Sequence, residues 1–405
     1  MALTFGIDLT DEYIAVFETG KEQASIWPAV ICREKKGTEW YIGEEAYREA
    51  LSGRAVMTEK LLRLLRKDGT STINRKVYPA VELLSMLIRM VLLHQLENGE
   101  IASIDRVCLC LHEPDRELLD RVAESAVMAG IDREKILMTS HEEAFLSYVL
   151  SREKEIYSNM ACLFDLSSET LSYYEFMVVR GMSRKCAIAE GEDIEEAFHT
   201  DILRKDSGRT LGDRIITDVA KRHMDGKIFS GVFLTGSGFE RTDWAPSFLG
   251  YVCNRRRVMY EKGLFAMGAG IMAGEPAGGT EEYLIFCNMR VSSEVTTEVT
   301  VGERKSELIL VPAGKRWYGL QVHVEVMPRE QDYLELTVRP FDKSRETRTG
   351  RVELSEFPKR PDRTTRTAMD LTFRDSSTLC CKLSDMGFGE IFPASGVTIE
   401  KEFDT

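Results

Sequence analysis

Two His-Glu pairs, His112-Glu113 and His141-Glu142, are the residues that most invite acid–base chemistry, because an imidazole beside a carboxylate can move a proton near neutral pH. Both pairs fall where an apolar, strand-like run gives way to a helical one, so polar capping of a helix accounts for them equally well. The six histidines, at 94, 112, 141, 199, 223 and 323, show no HxxxH and no His/Cys spacing of the kind that holds zinc. Cys108 and Cys110 share one face of a short apolar run and read as core, with no partner in the sequence to make either a nucleophile. Two short polar turns, Thr10-Asp11-Glu12 and Ser167-Ser168-Glu169, and the turn Thr235-Gly-Ser-Gly238 follow strand-like runs. Between Arg339 and Arg366 nine Lys or Arg face five Asp or Glu, which reads as a solvated loop or as a dock for an acidic partner.

Composition bounds what such residues can do. The chain has 405 residues, 43% hydrophobic and 29% charged, long enough for two or three domains with real cores and far from a disordered composition. Fifty-three Lys plus Arg against 66 Asp plus Glu give a net charge of -13, which argues against nucleic acid or an anionic membrane as the main partner. The first residues meet a carboxylate at Asp8, too early for a signal peptide. The most apolar stretch, Leu83 to Leu96, is broken by Ser85, Arg89, His94 and Gln95, as an amphipathic core helix would be. Nine cysteines without a CxxC or a framework spacing fit a reducing, cytoplasmic compartment.

The elements that must position these residues follow from periodicity. Residues 3 to 17 read as a hairpin around Thr10-Asp11-Glu12, followed by strand-like runs at Ser25 to Cys32 and Glu39 to Ile42. Apolar spacing of three and four predicts helices over Val56 to Arg66 and Ala80 to Glu97. Arg106 to Leu111 is a buried strand, a helix follows to Gly130, Ile136 to Thr139 is a strand, and Ser140 with Glu143 makes a capping box. A second round begins at Met160, with strands over Ala161 to Asp165, Thr170 to Phe176 and Met177 to Arg180. A helix over Leu211 to Met224, a strand over Gly231 to Leu234 and a small-residue helix over Lys262 to Ala273 complete it. The repeated order implies two related α/β lobes. After the Gly-rich stretch Gly270 to Thr280 come seven short β runs and almost no helical periodicity, an all-β sandwich-like domain. The boundaries expected are 1–272, with lobes of about 1–155 and 156–272, a linker at 273–281, and the β domain at 282–405.

The ordered series of segments resembles the DnaK-type seventy-kilodalton heat-shock chaperone family, within the actin-like ATPase superfamily. Phe5-Gly-Ile-Asp8-Leu9 resembles its first phosphate loop. Ser140-His-Glu142-Glu-Ala144 resembles the start of its crossing helix, and Leu163-Phe-Asp165-Leu-Ser-Ser-Glu-Thr170 its second loop. Phe233-Leu-Thr-Gly236-Ser237-Gly238 resembles the turn under the nucleoside, and Gly263 to Gly270 its final small-residue helix. The resemblance covers nearly the whole chain through order and spacing. It implies an α/β two-lobed actin-like ATPase fold followed by a β-rich substrate-binding-like domain, here with a shortened outer subdomain between Asp165 and Gly236 and without the family's helical lid.

The same resemblance assigns roles. Asp8 and Asp165 match two aspartates that orient magnesium-bound waters, Glu142 the acidic residue of the crossing helix, and Lys60 a lysine that positions the attacking water. Thr170 ends the second loop, and Gly236, Ser237 and Gly238 would cradle a nucleoside on whose base Phe239 could stack. Capping of strand ends by the aspartates, a solvated Lys60 and a plain strand-to-helix turn at Gly236 are the alternatives. A triphosphate needs main-chain N–H groups approached without a Cβ, yet both phosphate loops have lost their glycines. Were Glu12 or Glu169 to face a phosphate at about 4 Å, each pair would cost roughly 4 kcal/mol at an effective dielectric near 20, about three decades of affinity. As hairpin-tip residues in solvent they would repel nothing. The expectation is therefore a pseudo-ATPase: no cofactor, with ATP or ADP and Mg as the alternative. The β domain is expected to hold a polypeptide or protein partner, a co-chaperone among the possibilities; the alternative is an ATP-driven chaperone.

Overall fold

The computed structural model describes residues 2–96, 99–179, 185–275, 282–302, 304–328, 332–342, 345–361 and 363–405. It is a mixed α/β protein with a β-rich C-terminal region, and it divides into two compact units, Met1–Leu284 and Ile285–Thr405. Among the described residues no helix is long and apolar enough to cross a membrane.

Two sheets organise the first unit, and they repeat one topology. In the first, Thr4–Leu9 pairs antiparallel with Tyr13–Glu18, which pairs with Ser25–Pro28; on its other side Thr4–Leu9 runs parallel to Arg106–Leu111, itself parallel to Ile136–Ser140. In the second, Met160–Leu166, Leu171–Val179 and Lys185–Asp193 form the antiparallel arm, and Phe229–Thr235 and Arg257–Tyr260 the parallel arm. Tyr283–Phe286, read from sequence as a β run, is the added edge strand of that sheet. Thr4–Leu9 is buried along its whole length, as a central strand covered on both faces must be.

The first sheet carries a long insertion between its third and fourth strands. It holds a small antiparallel sheet of Trp40–Ile42, Ile31–Glu34 and Ala55–Thr58, a hairpin at Thr70–Ile73 and Lys76–Pro79, and the helix Ala80–Gln95. The single helix expected over Val56 to Arg66 is instead a strand, Ala55–Thr58, and a short helix, Leu61–Arg66. Lys60 between them has φ 54°, a left-handed conformation that no helix interior accepts, and Val56 and Met57 pair across to Arg33 and Cys32. The second sheet's equivalent connection is shorter, the 3-10 turn Thr200–Arg204 and the helix Asp206–Met224. The expected pair of strands at 170–180 is one strand, Leu171–Val179, with its partner further on at Lys185–Asp193; Arg180 lies outside the described residues.

Helix Leu264–Gly274 joins this unit together. A Cβ on Gly6 would stand 2.1 Å from Ala266 O and 2.1 Å from Gly270 N, and one on Gly268 would stand 2.0 Å from Ala144 O. Only glycine lets the helix lie flush on the strand Thr4–Leu9 and on the helix His141–Leu150 at once.

In the second unit two four-stranded antiparallel sheets account for six of the seven β runs read from sequence after the Gly-rich stretch; the first, at Tyr283–Phe286, belongs to the sheet described above. One has the order Arg304–Val311, Ser293–Val301, Tyr333–Pro340, Arg348–Glu353; the other, Val322–Val326, Arg366–Phe373, Thr378–Gly387, Thr398–Asp404. Arg348–Glu353 and Thr398–Asp404 lack an apolar alternation and escape a pattern search. The Arg339–Arg366 run is neither a bare loop nor a free basic patch. Arg339 pairs with Glu307, Arg351 with Glu335, Arg366 with Glu325, and Arg360 makes a buried two-pronged bond to Asp385. Of the expected 273–281 linker, residues 276–281 lie outside the described residues.

Candidate functional site

The ends of the two central strands bring Asp8 and Asp165 to one place. Each aspartate is the penultimate residue of a buried strand, just before a polar hairpin tip, so the shared topology of the two sheets sets both at the same edge. A pocket of about 370 Å³ opens there, lined by both tips together with Lys60, Arg63, Arg66, His112, His141, Asp165 and Ser172.

The walls of this pocket are held by caps and stacking. Asp115 caps the helix Arg116–Met128 by accepting from Leu118 N at 2.8 Å, which leaves His112 at the mouth. Ser140 caps His141–Leu150 by accepting from Glu143 N at 3.3 Å. Glu143, the acidic member of the expected capping box, also accepts from the Thr139 hydroxyl at 2.9 Å. His141, first residue of its helix, stacks on Phe265 with ring centroids 3.7 Å apart and planes 7° from parallel.

A hydrogen-bonded chain runs through the site. His112 Nε2 bonds Asp193 Oδ2 at 3.0 Å, and Tyr174 OH joins His112 Nδ1 at 3.2 Å to His141 Nδ1 at 3.3 Å. His141 Nε2 reaches Asp8 Oδ1 at 2.8 Å, and Tyr13 OH donates to Asp8 Oδ2 at 3.0 Å. Burial pushes the His141 pKa down, so the ring is neutral. Burial also works against charge on His112, but the bond to Asp193 outweighs it and the pKa rises; the same bond lowers that of Asp193. A neutral His141 places its proton on Nε2, toward the Asp8 carboxylate, and leaves Nδ1 as an acceptor facing Tyr174 OH.

Asp165 is the strained member. It is 6% exposed, its Oδ1 has no hydrogen-bond partner among the described residues, and burial together with the charge of Asp8 pushes its pKa up to about 7.

The hairpin tips spend their own N–H groups. Thr10 N donates to Tyr13 O, and the Thr10 hydroxyl accepts from Glu12 N at 3.2 Å and Tyr13 N at 2.9 Å. Across the pocket mouth Ser167 N donates to Thr170 O, while Ser168 N donates to Glu12 Oε2 at 3.3 Å and the Ser168 hydroxyl to Glu12 Oε1. Glu12 is thus neither aimed at a bound anion nor idle in solvent. Its carboxylate bridges to the opposite tip. Glu169 lies 3.9 Å from His199 Nε2, and Asp11 accepts from Arg63 N.

The residues assigned by resemblance scatter. Asp165, Lys60 and Thr170 line the pocket, and Asp8 sits fully buried beside it. Glu142 faces the second sheet's edge, accepting from Gly191 N at 3.1 Å. Gly236 has φ 90°, and a Cβ there would stand 2.3 Å from Leu166 O and 2.6 Å from Asp165 Oδ1, so this glycine serves close packing of strand ends. Ser237 and Gly238 continue as a 3-10 turn, Gly238 pressed against the Leu166 side chain. The base-stacking role expected of Phe239 is corrected: its ring is 1% exposed and stacks in the core on Trp244 and Phe248. A hydrated Mg²⁺ does not fit Asp8, whose two oxygens are taken by His141 and Tyr13 and whose neighbours include a thiol. His112, His141, Tyr13, Tyr174 and Asp193 were missed as a set; only the two His-Glu pairs signalled part of it.

A family model described as family of unknown function (DUF5716) C-terminal matches residues 12–288. The chain belongs to that family. In this DUF5716 member every residue of the pocket except Leu9, Thr10 and Asp11 falls inside the match. A second model, domain of unknown function (DUF8552), matches residues 290–405. No curated protein matches the sequence.

Proposed function

We propose that this DUF5716 protein is a divergent, chaperone-like binding module of the actin-like superfamily: a two-lobed platform whose nucleotide site has closed on itself, joined to a β unit that holds a polypeptide or protein partner. The observation that carries the reading is the Glu12 bond to Ser168 N and Oγ. An internal carboxylate there does the work of a phosphate, so a nucleotide tail would have to displace an intramolecular anion that pays no association entropy. The repeated strand order of the two sheets supports the two-lobed part of the reading. For the partner, Arg304–Val311 and Val322–Val326 stand at sheet edges, where an extended peptide adds as a further strand. Ile309, 54% exposed, offers apolar contact on the first of them.

The pocket lined by Lys60, Thr170 and Asp165 favours a second reading, an ATP-driven chaperone. Two measurements separate them. Calorimetric titration of the full chain with Mg-ATP and Mg-ADP is expected to give no heat of binding at micromolar concentrations. Fluorescence anisotropy of labelled extended peptides is expected to show binding that Mg-ATP leaves unchanged. Micromolar nucleotide affinity with turnover lost in Asp165→Asn overturns the first reading in favour of the second, and a failure to bind any peptide removes the binding module altogether.

A further inference from the structure

Three donors of different chemistry converge at the inner end of the hydrogen-bonded chain. Asp8 and Cys110 face each other in the register of two parallel strands, and His141 reaches them from the start of its helix. Their ligand atoms all lie within 4.8 Å of one another, and the residues are 0%, 0% and 4% exposed. We propose that Asp8, Cys110 and His141 form a binding site for a zinc-class divalent metal ion.

Five features of the site carry this. Tetrahedral Zn²⁺ with bonds of about 2.0–2.3 Å holds its ligand atoms roughly 3.3–3.7 Å apart, a spacing this trio reaches with small side-chain adjustments. The donor set of imidazole, thiolate and carboxylate suits zinc or cobalt and is wrong for magnesium or calcium. One carboxylate and one thiolate neutralise a dication, which a buried site requires. The outer bonds are in place too: Tyr174 OH holds the free ring nitrogen of His141, and Tyr13 OH holds the second oxygen of Asp8, as partners that orient metal ligands do. A fourth donor is at hand in Asp165, buried, with an oxygen that nothing else among the described residues satisfies and close enough to Asp8 for their charges to repel.

Binding balances as follows. The Cys110 thiol gives up one proton to solvent and the sulfur lone pair bonds the ion. His141 stays neutral: the Nε2 proton that now points to Asp8 moves to Nδ1, where Tyr174 O accepts it, the Tyr174 proton turns to His112 Nδ1, any proton on that nitrogen passes to solvent, and the freed His141 Nε2 lone pair bonds the ion. The hydrogen bond between His141 and Asp8 is replaced by two bonds to metal. Sequence spacing hides such a site, because Asp8 and His141 lie 133 residues apart and Cys110 meets Asp8 only through strand register.

The test uses the full chain stripped by chelator and titrated with Co²⁺, then Zn²⁺. One equivalent is expected, with a thiolate-to-cobalt charge-transfer band that vanishes in Cys110→Ser and persists in Cys108→Ser, the buried neighbour. Tyr174→Phe is expected to weaken Zn²⁺ about tenfold to a hundredfold. X-ray absorption of the zinc-loaded wild-type chain needs no variant: one sulfur at about 2.3 Å with N/O ligands at about 2.0–2.1 Å is expected. A shell without sulfur, a band that survives Cys110→Ser, or no stoichiometric uptake would overturn the proposal, whether or not the partner-binding reading stands.

Discussion

Replacing Asp165 by Asn keeps its shape and removes its charge, and so measures what the unpartnered carboxylate costs. In the folded chain its pKa is about 7 against a reference of 3.8. That difference corresponds to a ceiling of about 4 kcal/mol. Because the folded pKa is raised, the native state holds the proton more tightly than the unfolded chain. Wild-type stability is therefore full below about pH 4, falls as pH climbs towards 7, and is flat above. Asp165→Asn carries no such loss. In chelator, the variant is expected to exceed wild type by up to about 4 kcal/mol at pH 8, with the advantage gone near pH 4. Urea unfolding at both pH values, read by tryptophan fluorescence, tests this, since Trp27, Trp40 and Trp244 of the four tryptophans lie in the first unit. The wild-type-minus-variant difference cancels the other titrating groups. An Asn variant less stable than wild type at pH 8, or a difference that does not change with pH, would refute the desolvated-carboxylate account.

Other expectations follow from the same geometry. Asp193→Asn removes the main partner of His112, so the His112 pKa should fall, visible as an imidazole titration by NMR. Gly268→Ala puts a Cβ 2.0 Å from Ala144 O and should lower stability by about 1–3 kcal/mol, while Gly250→Ala, with open space around it in an exposed helix, should be neutral or gain up to about 1 kcal/mol; thermal melts of the two variants make the comparison. Arg360→Ala leaves Asp385 buried without its guanidinium and should cost the second unit about 3–5 kcal/mol by urea unfolding.

Much of this architecture was legible in the sequence. Arg106–Leu111 and the hairpin at Thr4–Glu18 could be read because fully buried strands are continuous apolar runs and a two-strand turn needs polar tip residues. The region of Val56 to Arg66 could not, because a strand and a short helix placed end to end imitate one helical period, and only the backbone at Lys60 separates them. Polar edge strands such as Thr398–Asp404 bury too little to leave a pattern. At the site, Asp8 and Asp165 were visible as the last charged residues of buried strands. The Tyr174 link between His112 and His141 was not, since it depends on which strands of different sheets come to face one another. Phe239 misled for a simple reason: an aromatic after a glycine turn looks the same from sequence whether it faces a ligand or a core.

The flush seat of Leu264–Gly274 against Gly6 sets an order of events during synthesis. The strand Thr4–Leu9 leaves the ribosome some 260 residues before the helix that completes its inner face. Until that segment emerges, the nascent first unit must wait with a bare apolar surface on Thr4–Leu9, and Phe265 is not yet there to steady the His141 ring. A chain stopped just short of Leu264 would therefore accumulate as an aggregation-prone intermediate, and emergence of that helix, rather than growth of the early strands, is the moment at which the site takes shape.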